Sequence, residues 1–212
     1  MFVPSGETVR YNAPMFIRDI MTPNPVTTSP QIRLFAALKL MNDRRFRRLP
    51  VVDGRKLVGI ITKSDIYAAL GPVEQWGAYE GGEEPEVEEY MTPKPLTVAS
   101  KDTIETAALL MHDNRLSGLP VVDGAKLVGI VTETDVFKTL LEIMGVKEVG
   151  ARLVIQLSSP RHLLEELHRA TAGLVVRSVA TYRDAKGAWK AVVRVRGRER
   201  DKTRKLEIRV DA

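Results

Sequence analysis

Two short stretches carry residue types that could recognise an anion: Thr62-Lys63-Ser64-Asp65 and Thr132-Glu133-Thr134-Asp135. Hydroxyls in the first turn of a helix sit among backbone N–H groups that the helix cannot satisfy, where its dipole adds positive potential. That environment suits a phosphate. The carboxylate that follows could accept both hydroxyls of a ribose, as acidic side chains do in nucleotide folds. The same residues have a plainer role, because Thr-x-x-Asp is a capping arrangement in which hydroxyl and carboxylate satisfy free amides. Both readings stay open on the residues alone. Gly59 and Gly129, just upstream, lack a Cβ and would let a ligand approach the backbone closely.

The two stretches are the ends of a longer duplication. Residues 21–67 align on 91–137 without a gap at a constant offset of 70, and 23 of the 47 pairs are identical. Two copies make a paired module and not a solenoid. In each copy a turn-rich segment with a short strand, MTPNPVTTSP or MTPKPLTVAS, precedes a helix. Leu34, Ala37, Leu38 and Met41 form an apolar stripe along that helix, matched by Ile104, Ala107, Ala108 and Met111. Ser29 before Pro30 suits an N-cap with Pro in the first helical position. LPVV and KLVGII, or KLVGIV, then flank Asp53-Gly54-Arg55 and Asp123-Gly124-Ala125, a strong hairpin signal. A second helix follows, with Thr62 as cap and Gly71 closing it. Each repeat is therefore strand–helix–strand–strand–helix. Neither is large enough to bury a core alone, and pairing about a pseudo-twofold axis would solve that.

These residues resemble a tandem pair of cystathionine-β-synthase (CBS) motifs. The resemblance rests on Leu-Pro-Val-Val-Asp-Gly, on Gly-Ile-[Ile/Val]-Thr-x-[Ser/Thr]-Asp, and on IMTPNPVT and YMTPKPLT before them, and it covers Ile17 to Leu141. It implies clefts between the two motifs that bind AMP, ADP, ATP or S-adenosylmethionine, with no required cofactor, and assembly into homodimers or higher homo-oligomers. Carried over by position, Thr62, Ser64 and Asp65 would line one cleft and Thr132, Thr134 and Asp135 the other. Backbone around Thr27 and Thr97 would border the adenine.

The copies differ where a phosphate would notice. Arg44, Arg45, Arg47 and Arg48 precede the central strand of the first copy, whereas Ser117 and Gly118 stand at the positions of Arg47 and Arg48 in the second. In the family a basic residue immediately before this strand can meet phosphate, and Arg offers a bidentate fork. Unequal clefts are expected, with Arg48 serving the tighter one. A solvated face or a dimer rim is the competing role for these arginines.

Residues 1–16 form an N-terminal segment, 17–70 the first motif, 71–87 a Gly- and Glu-rich linker and 88–145 the second motif. Within the linker region, Trp76 and Tyr79 are expected to pack. From residue 151 the texture changes to ARLVIQL as a strand, SPRHLLEELHRATAG as a helix capped by Ser159, two strands around RDAKG, and KLEIRV as a last strand. This segment, 151–212, resembles the ACT family, a ferredoxin-like βαββαβ sensor of amino acids. With the CBS pair ahead of it, the chain resembles the acetoin-utilisation CBS–ACT family. Pro160 and Leu163 fit the ACT family's first loop, Asp-x-Pro-Gly-x-Leu, while Arg161 stands where that loop carries Gly. The expected fold class is α/β (α+β): a CBS-motif pair followed by a small ACT-like βαββ(α)β domain, serving dimerisation or a second ligand.

Composition narrows the function. At 44% hydrophobic and 28% charged residues the chain is ordinary for a globular protein. The absence of Cys excludes disulfides, thiol catalysis and Cys-ligated zinc. No apolar run approaches the roughly 20 residues of a membrane span, and the N-terminus lacks the pattern of a signal peptide, so a cytoplasmic protein without membrane partners is expected. His112, His162 and His168 form no ligand set. With no nucleophile elbow, P-loop or metal cluster, no catalytic residue or metal ligand is assigned and the protein is expected not to be an enzyme. Residues 151–212 carry 15 Lys and Arg against 7 Asp and Glu, while residues 1–150 carry 17 against 20. The reading is a regulatory adenine-nucleotide sensor acting on a regulated protein partner. The alternative is a nucleic-acid-binding protein that uses Arg194, Arg196, Arg198, Arg200 and Arg204 on the basic C-terminal sheet.

Overall fold

The computed structural model describes residues 15–72, 76, 79, 84–147 and 149–196. The chain divides into two compact units, 1–136 and 137–212.

In the first unit each repeat opens with a one-turn helix, α1 (Ile17–Ile20) or α4 (Val87–Tyr90), and a two-residue strand, β1 (Thr22–Pro23) or β4 (Thr92–Pro93). A longer helix follows, α2 (Leu34–Asp43) or α5 (Ile104–Asn114). Then come the hairpins, β2 (Arg48–Asp53) with β3 (Lys56–Thr62), and β5 (Gly118–Asp123) with β6 (Lys126–Thr132). The closing helices are α3 (Lys63–Leu70) and α6 (Glu133–Ile143), the latter running across the boundary between the units. Asp-Gly makes each hairpin turn, where Gly54 and Gly124 adopt φ of +60° and +64°, values that favour glycine.

The repeats exchange their first strands. β1 pairs with β6 of the second repeat, Thr22 opposite Ile130, and β4 pairs with β3 of the first, Thr92 opposite Ile60. The hairpins meet where Lys56 opposes Lys126. The one-turn helices are exchanged as well. Ile17 is buried among Ala107, Met111, Leu119, Val121 and Val131 of the second repeat. Val87 is buried among Leu34, Met41, Leu49, Ile61 and Ile66 of the first. Each buried aliphatic side chain contributes roughly 1.5–3 kcal/mol of transfer free energy, so each core depends on a segment lent by the other repeat.

Three local expectations need correction. Ser29 and Pro30 lie in a turn, and α2 starts only at Leu34, with Arg33 in the N-cap position and no side-chain cap bond. The segment before it is spent on a bridge from Thr28 to Val51 and cannot join the helix. The first strand of each repeat is two residues long and is preceded by a helix that the turn-rich sequence did not signal. The space above Gly59 is filled by the Met91 thioether and that above Gly129 by Met21, so these glycines admit a neighbouring repeat and not a ligand.

Trp76 stacks on Tyr67 with centroids 6.1 Å apart, and Phe35 meets Trp76 and Tyr79 edge-on at 5.3 and 5.9 Å. The aromatics of the linker region thus pack against the first core.

The second unit holds a three-stranded antiparallel sheet in the order β7 (Ala151–Gln156), β9 (Trp189–Arg196), β8 (Val175–Arg183). A 3-10 turn (Pro160–His162) leads into α7 (Leu163–Ala170). Ser159 caps the 3-10 turn, its hydroxyl accepting from the Arg161 amide at 3.3 Å, and His162 stands at the N-cap of α7. Ala191, Val193 and Val195 of β9 are buried with Leu157 and Leu167. Arg194 and Arg196 alternate with them, while the connection from residue 197, with Arg198, Arg200 and Arg204, and the KLEIRV segment lie outside the described residues. No helix among the described residues is long and apolar enough to cross a membrane.

Candidate functional site

Both Thr-x-x-Asp stretches cap their helices. Asp65 Oδ2 accepts from the Thr62 amide at 2.8 Å and from the Thr62 hydroxyl at 2.7 Å, and the Asp65 amide donates back to Thr62 Oγ1 at 3.3 Å. Asp135 Oδ2 repeats the first two bonds with Thr132 at 2.8 and 2.7 Å. The Lys63 amide donates to Arg47 O at 3.0 Å and the Glu133 amide to Ser117 O at 3.3 Å. These bonds tie each helix start to the entry of the central strand. The Ser64 and Thr134 side chains, one residue before each Asp, make no hydrogen bond with any described residue.

Two clefts flank the pseudo-twofold axis, and each draws its walls from both repeats. One, of about 260 Å³, sets Thr132, Thr134 and Asp135 of the second repeat against Thr22, Pro25, Val26 and Arg45, Phe46, Arg47, Arg48 of the first. The other, of about 720 Å³, sets Thr62, Ser64 and Asp65 of the first repeat against Thr92, Lys94, Pro95, Leu96 and Arg115, Leu116, Ser117, Gly118 of the second. The strand exchange causes this division, because β1 and β4 carry each turn segment to the other repeat's helix. Both volumes lie near the ~300–1,000 Å³ range of small-molecule sites.

The clefts are unequal in charge. Arg45, Arg47 and Arg48 face Asp135 in the smaller one, whereas Arg47, Arg48, Lys63, Lys94 and Arg115 face Asp65 in the larger. Lys63 stands where the second repeat has Glu133, and Lys94 where the first has Asn24. Arg45 and Arg115 share a left-handed backbone, at φ of +57° and +54°, as do Asn24 and Lys94 at +46° and +47°. A non-glycine residue other than Asn or Asp pays roughly 1–2 kcal/mol in that region; Arg45 brings such strain to the smaller cleft, and Lys94 and Arg115 bring it to the larger.

Arg48 lines both clefts, although comparison of the two copies assigns it to one. Its backbone opposes Thr62 across the β2–β3 ladder. Its side chain crosses to the second repeat, where Nη2 donates to Ser117 Oγ and Nη1 occupies the place of a Cβ on Gly118. Nη1 is buried and has no hydrogen-bond partner among the described residues. Burial and then the Arg47 charge lower the guanidinium's pKa from its usual value, partly opposed by Glu133. A buried donor without an acceptor costs about 1–3 kcal/mol, and more when charged.

Thr27 lines a separate concavity with Asn24, Arg55 and Lys126, and its neighbours Pro25 and Val26 reach the smaller cleft. Thr97 lines neither cleft, whereas Pro95 and Leu96 line the larger. Lys94 and Arg115 escaped the sequence reading. The signal for Lys94 was there, since residue 94 is the one change within the otherwise repeated Met-Thr-Pro-x-Pro. No group of three or more metal-ligating side chains occurs among the described residues.

Against known proteins, a protein-family model described as "CBS domain" matches residues 17–72 and 87–142. An inosine-5'-monophosphate dehydrogenase of Korarchaeum cryptofilum is 35% identical over 136 residues, covering 64% of this chain and 25% of that protein. The chain spans under half the length of the curated relatives it matches. The crystal structure of CBSX2 in complex with AMP superposes with a TM-score of 0.54 at 30% identity, covering 61% of this chain and 98% of that one. The CBS domain pair of protein MJ0100, in complex with 5'-methylthioadenosine and S-adenosyl-L-methionine, gives 0.50 at 30% identity over 59% and 99%.

Proposed function

From the premise that the chain belongs to the CBS-domain family, we propose that it is a non-catalytic regulatory protein that binds an adenine nucleotide in the clefts of its CBS pair. The observation that carries this reading is Arg48: a half-buried guanidinium whose Nη1 finds no acceptor among the described residues, at the wall of two clefts that each present a hydroxyl and a carboxylate. A phosphate would supply that acceptor. Ser64 and Thr134 would donate to phosphate or ribose, and Asp65 and Asp135 would accept from ribose hydroxyls. Thr62 and Thr132 hold those carboxylates in place. Pro25, Val26, Pro95 and Leu96, beside Thr27 and Thr97, offer apolar surface for the base. The AMP complex of CBSX2 and the S-adenosyl-L-methionine complex of MJ0100 point to adenosine-bearing ligands. Occupancy acts on a homodimer or a protein partner by favouring one conformation over another.

Residues 151–212 act as an ACT-like unit for dimerisation or a second ligand, in keeping with a helix on one face of a small antiparallel sheet. A second reading rests on one feature of that sheet. Arg152 and Arg194 oppose each other across β7 and β9, a like-charge pairing that disfavours the sheet and would be relieved by a polyanion.

Calorimetric titration of the full chain with AMP, ADP, ATP and S-adenosylmethionine tests the main reading. Saturable binding of at least one, lost in the Asp65→Ala/Asp135→Ala double variant, is the expected result. Heats indistinguishable from dilution for all four would overturn it, and salt-sensitive retention of single-stranded DNA or RNA would move the assignment to the basic sheet.

A further inference from the structure

The repeats are near copies at the level of the clefts, yet the position that opens the central strand holds a guanidinium in one and a hydrogen atom in the other. Arg48 and Gly118 are equivalent under the offset that relates the repeats. The Arg48 side chain fills the room that Gly118 leaves, and its guanidinium, with Arg47 beside it, stands at the wall of both clefts. We infer that the two clefts share the Arg48 guanidinium, which alone of the two arginines reaches across to Ser117 and Gly118, so that a phosphorylated ligand entering either cleft draws it toward itself and weakens binding in the other. The inference rests on the nucleotide reading above and adds its regulation.

Three observations support it. The backbone of Arg48 is fixed by its ladder partner Thr62, so only the side chain can answer a ligand, and it has rotatable bonds enough to do so. Among the described residues the side chain is held by one hydrogen bond, to Ser117 Oγ, while Nη1 has no partner. It can therefore exchange one neutral acceptor for a charged one, and a guanidinium gains most from a bidentate phosphate contact. A bidentate edge of that planar fork serves one phosphate at a time. Burial and the Arg47 charge weigh against its charged form and Glu133 offsets them only in part, so a phosphate in either cleft would supply counter-charge to the guanidinium. By linkage the weakening is reciprocal, whichever cleft fills first.

The test is a binding cycle with AMP on the full chain. Ser64 lines the larger cleft alone and Thr134 the smaller alone, so Ser64→Leu and Thr134→Leu each block one cleft with an apolar side chain. The affinity of each remaining cleft is then compared with the two steps of the unmodified chain. The expected result is a second step at least about fivefold weaker than the same cleft shows when its neighbour is blocked. That gap should shrink to within about twofold in Arg48→Ala and in Gly118→Ala, whose methyl group displaces the guanidinium without removing it. Gly118→Ala keeps the test available should Arg48→Ala fail to fold. Stepwise affinities that match the single-cleft values would overturn the coupling while leaving the nucleotide reading intact, as would a gap that survives both variants. A chain that binds one AMP in every form also overturns it. No AMP binding by any form overturns both.

Discussion

The guanidinium of Arg48 lies over Gly118, the residue that holds Arg48's own position in the second repeat. Fold and ligand recognition pull in opposite directions there. The strand exchange brings the two positions together at the axis, and the buried Nη1, without an acceptor among the described residues, weighs against the folded state. Arg48→Met keeps the length of the side chain and removes the unpaired charge. It is expected to raise the unfolding free energy by about 1 kcal/mol in the absence of ligand and to weaken nucleotide binding. Denaturant melts with and without AMP would check both, and a variant less stable than the parent would show that the Ser117 bond outweighs the unpaired donor.

Ser64 and Asp65 are neighbours with separable roles. Asp65 is tied into the cap by three bonds with Thr62, whereas Ser64 makes none within the described residues. Ser64→Ala should therefore leave stability within about 0.5 kcal/mol of the parent while lowering affinity in the larger cleft. Thr62→Ala should cost about 1 kcal/mol of stability through the lost cap. Equal losses of stability in the two variants would mean that Ser64 also belongs to the cap.

Much of this arrangement was legible in the sequence. The offset of 70 gives the repeat, Asp-Gly gives each hairpin, and Thr-x-x-Asp gives each helix start, because these signals act within a few residues and depend on local chemistry. The exchange of β1 and β4 left no such trace. A two-residue strand around Pro is too short for a periodic pattern, and its partner lies about a hundred residues away, Thr22 against Ile130. For the same reason Gly59 and Gly129 read as room for a ligand when they make room for Met91 and Met21. Arg48 was singled out by comparing the copies, but the direction of its side chain depends on the axis that the exchange creates.

The exchanged helices make the repeats mutually dependent. Ile17 and Val87 are fully buried in the core of the opposite repeat. Chains comprising residues 1–83 and 84–212 should each leave the CBS half without its lent helix. The first should lack a cooperative thermal transition alone, and mixing the two should restore it. A cooperative transition of the first fragment by itself would show that the exchange is dispensable. In the intact chain, Ile17→Ala should cost about 2–5 kcal/mol and destabilise the second repeat's core more than the first.

The β8–β9 turn of the second unit makes a pH prediction. Asp184 Oδ1 accepts from the Lys186 and Ala188 amides at 2.9 and 3.0 Å, and Oδ2 meets Lys190 Nζ at 2.9 Å. The Lys190 bond and then the Ala188 amide hold the Asp184 carboxyl below its usual 3.8. A depressed folded pKa stabilises the ionised form, so this contribution is fully present above the ordinary value and is lost as pH falls through it. Lys190 is shifted upward by the same partner, and its contribution fades only as pH rises past its usual 10.5. The thermal midpoint of the second unit should thus be flat from about pH 7 to 5 and fall below about pH 4. Trp189, with the Arg183 guanidinium 4.7 Å above its ring, reports on this turn by fluorescence, read in a Trp76→Phe background. Asp184→Asn should lower the midpoint at pH 7 and flatten its fall in acid. Some acid slope should remain from Glu166, whose carboxyl is also lowered, chiefly by its bond from the Ser158 hydroxyl. An acid slope unchanged in Asp184→Asn and absent in Glu166→Gln would assign the whole acid response to the Ser158–Glu166 pair.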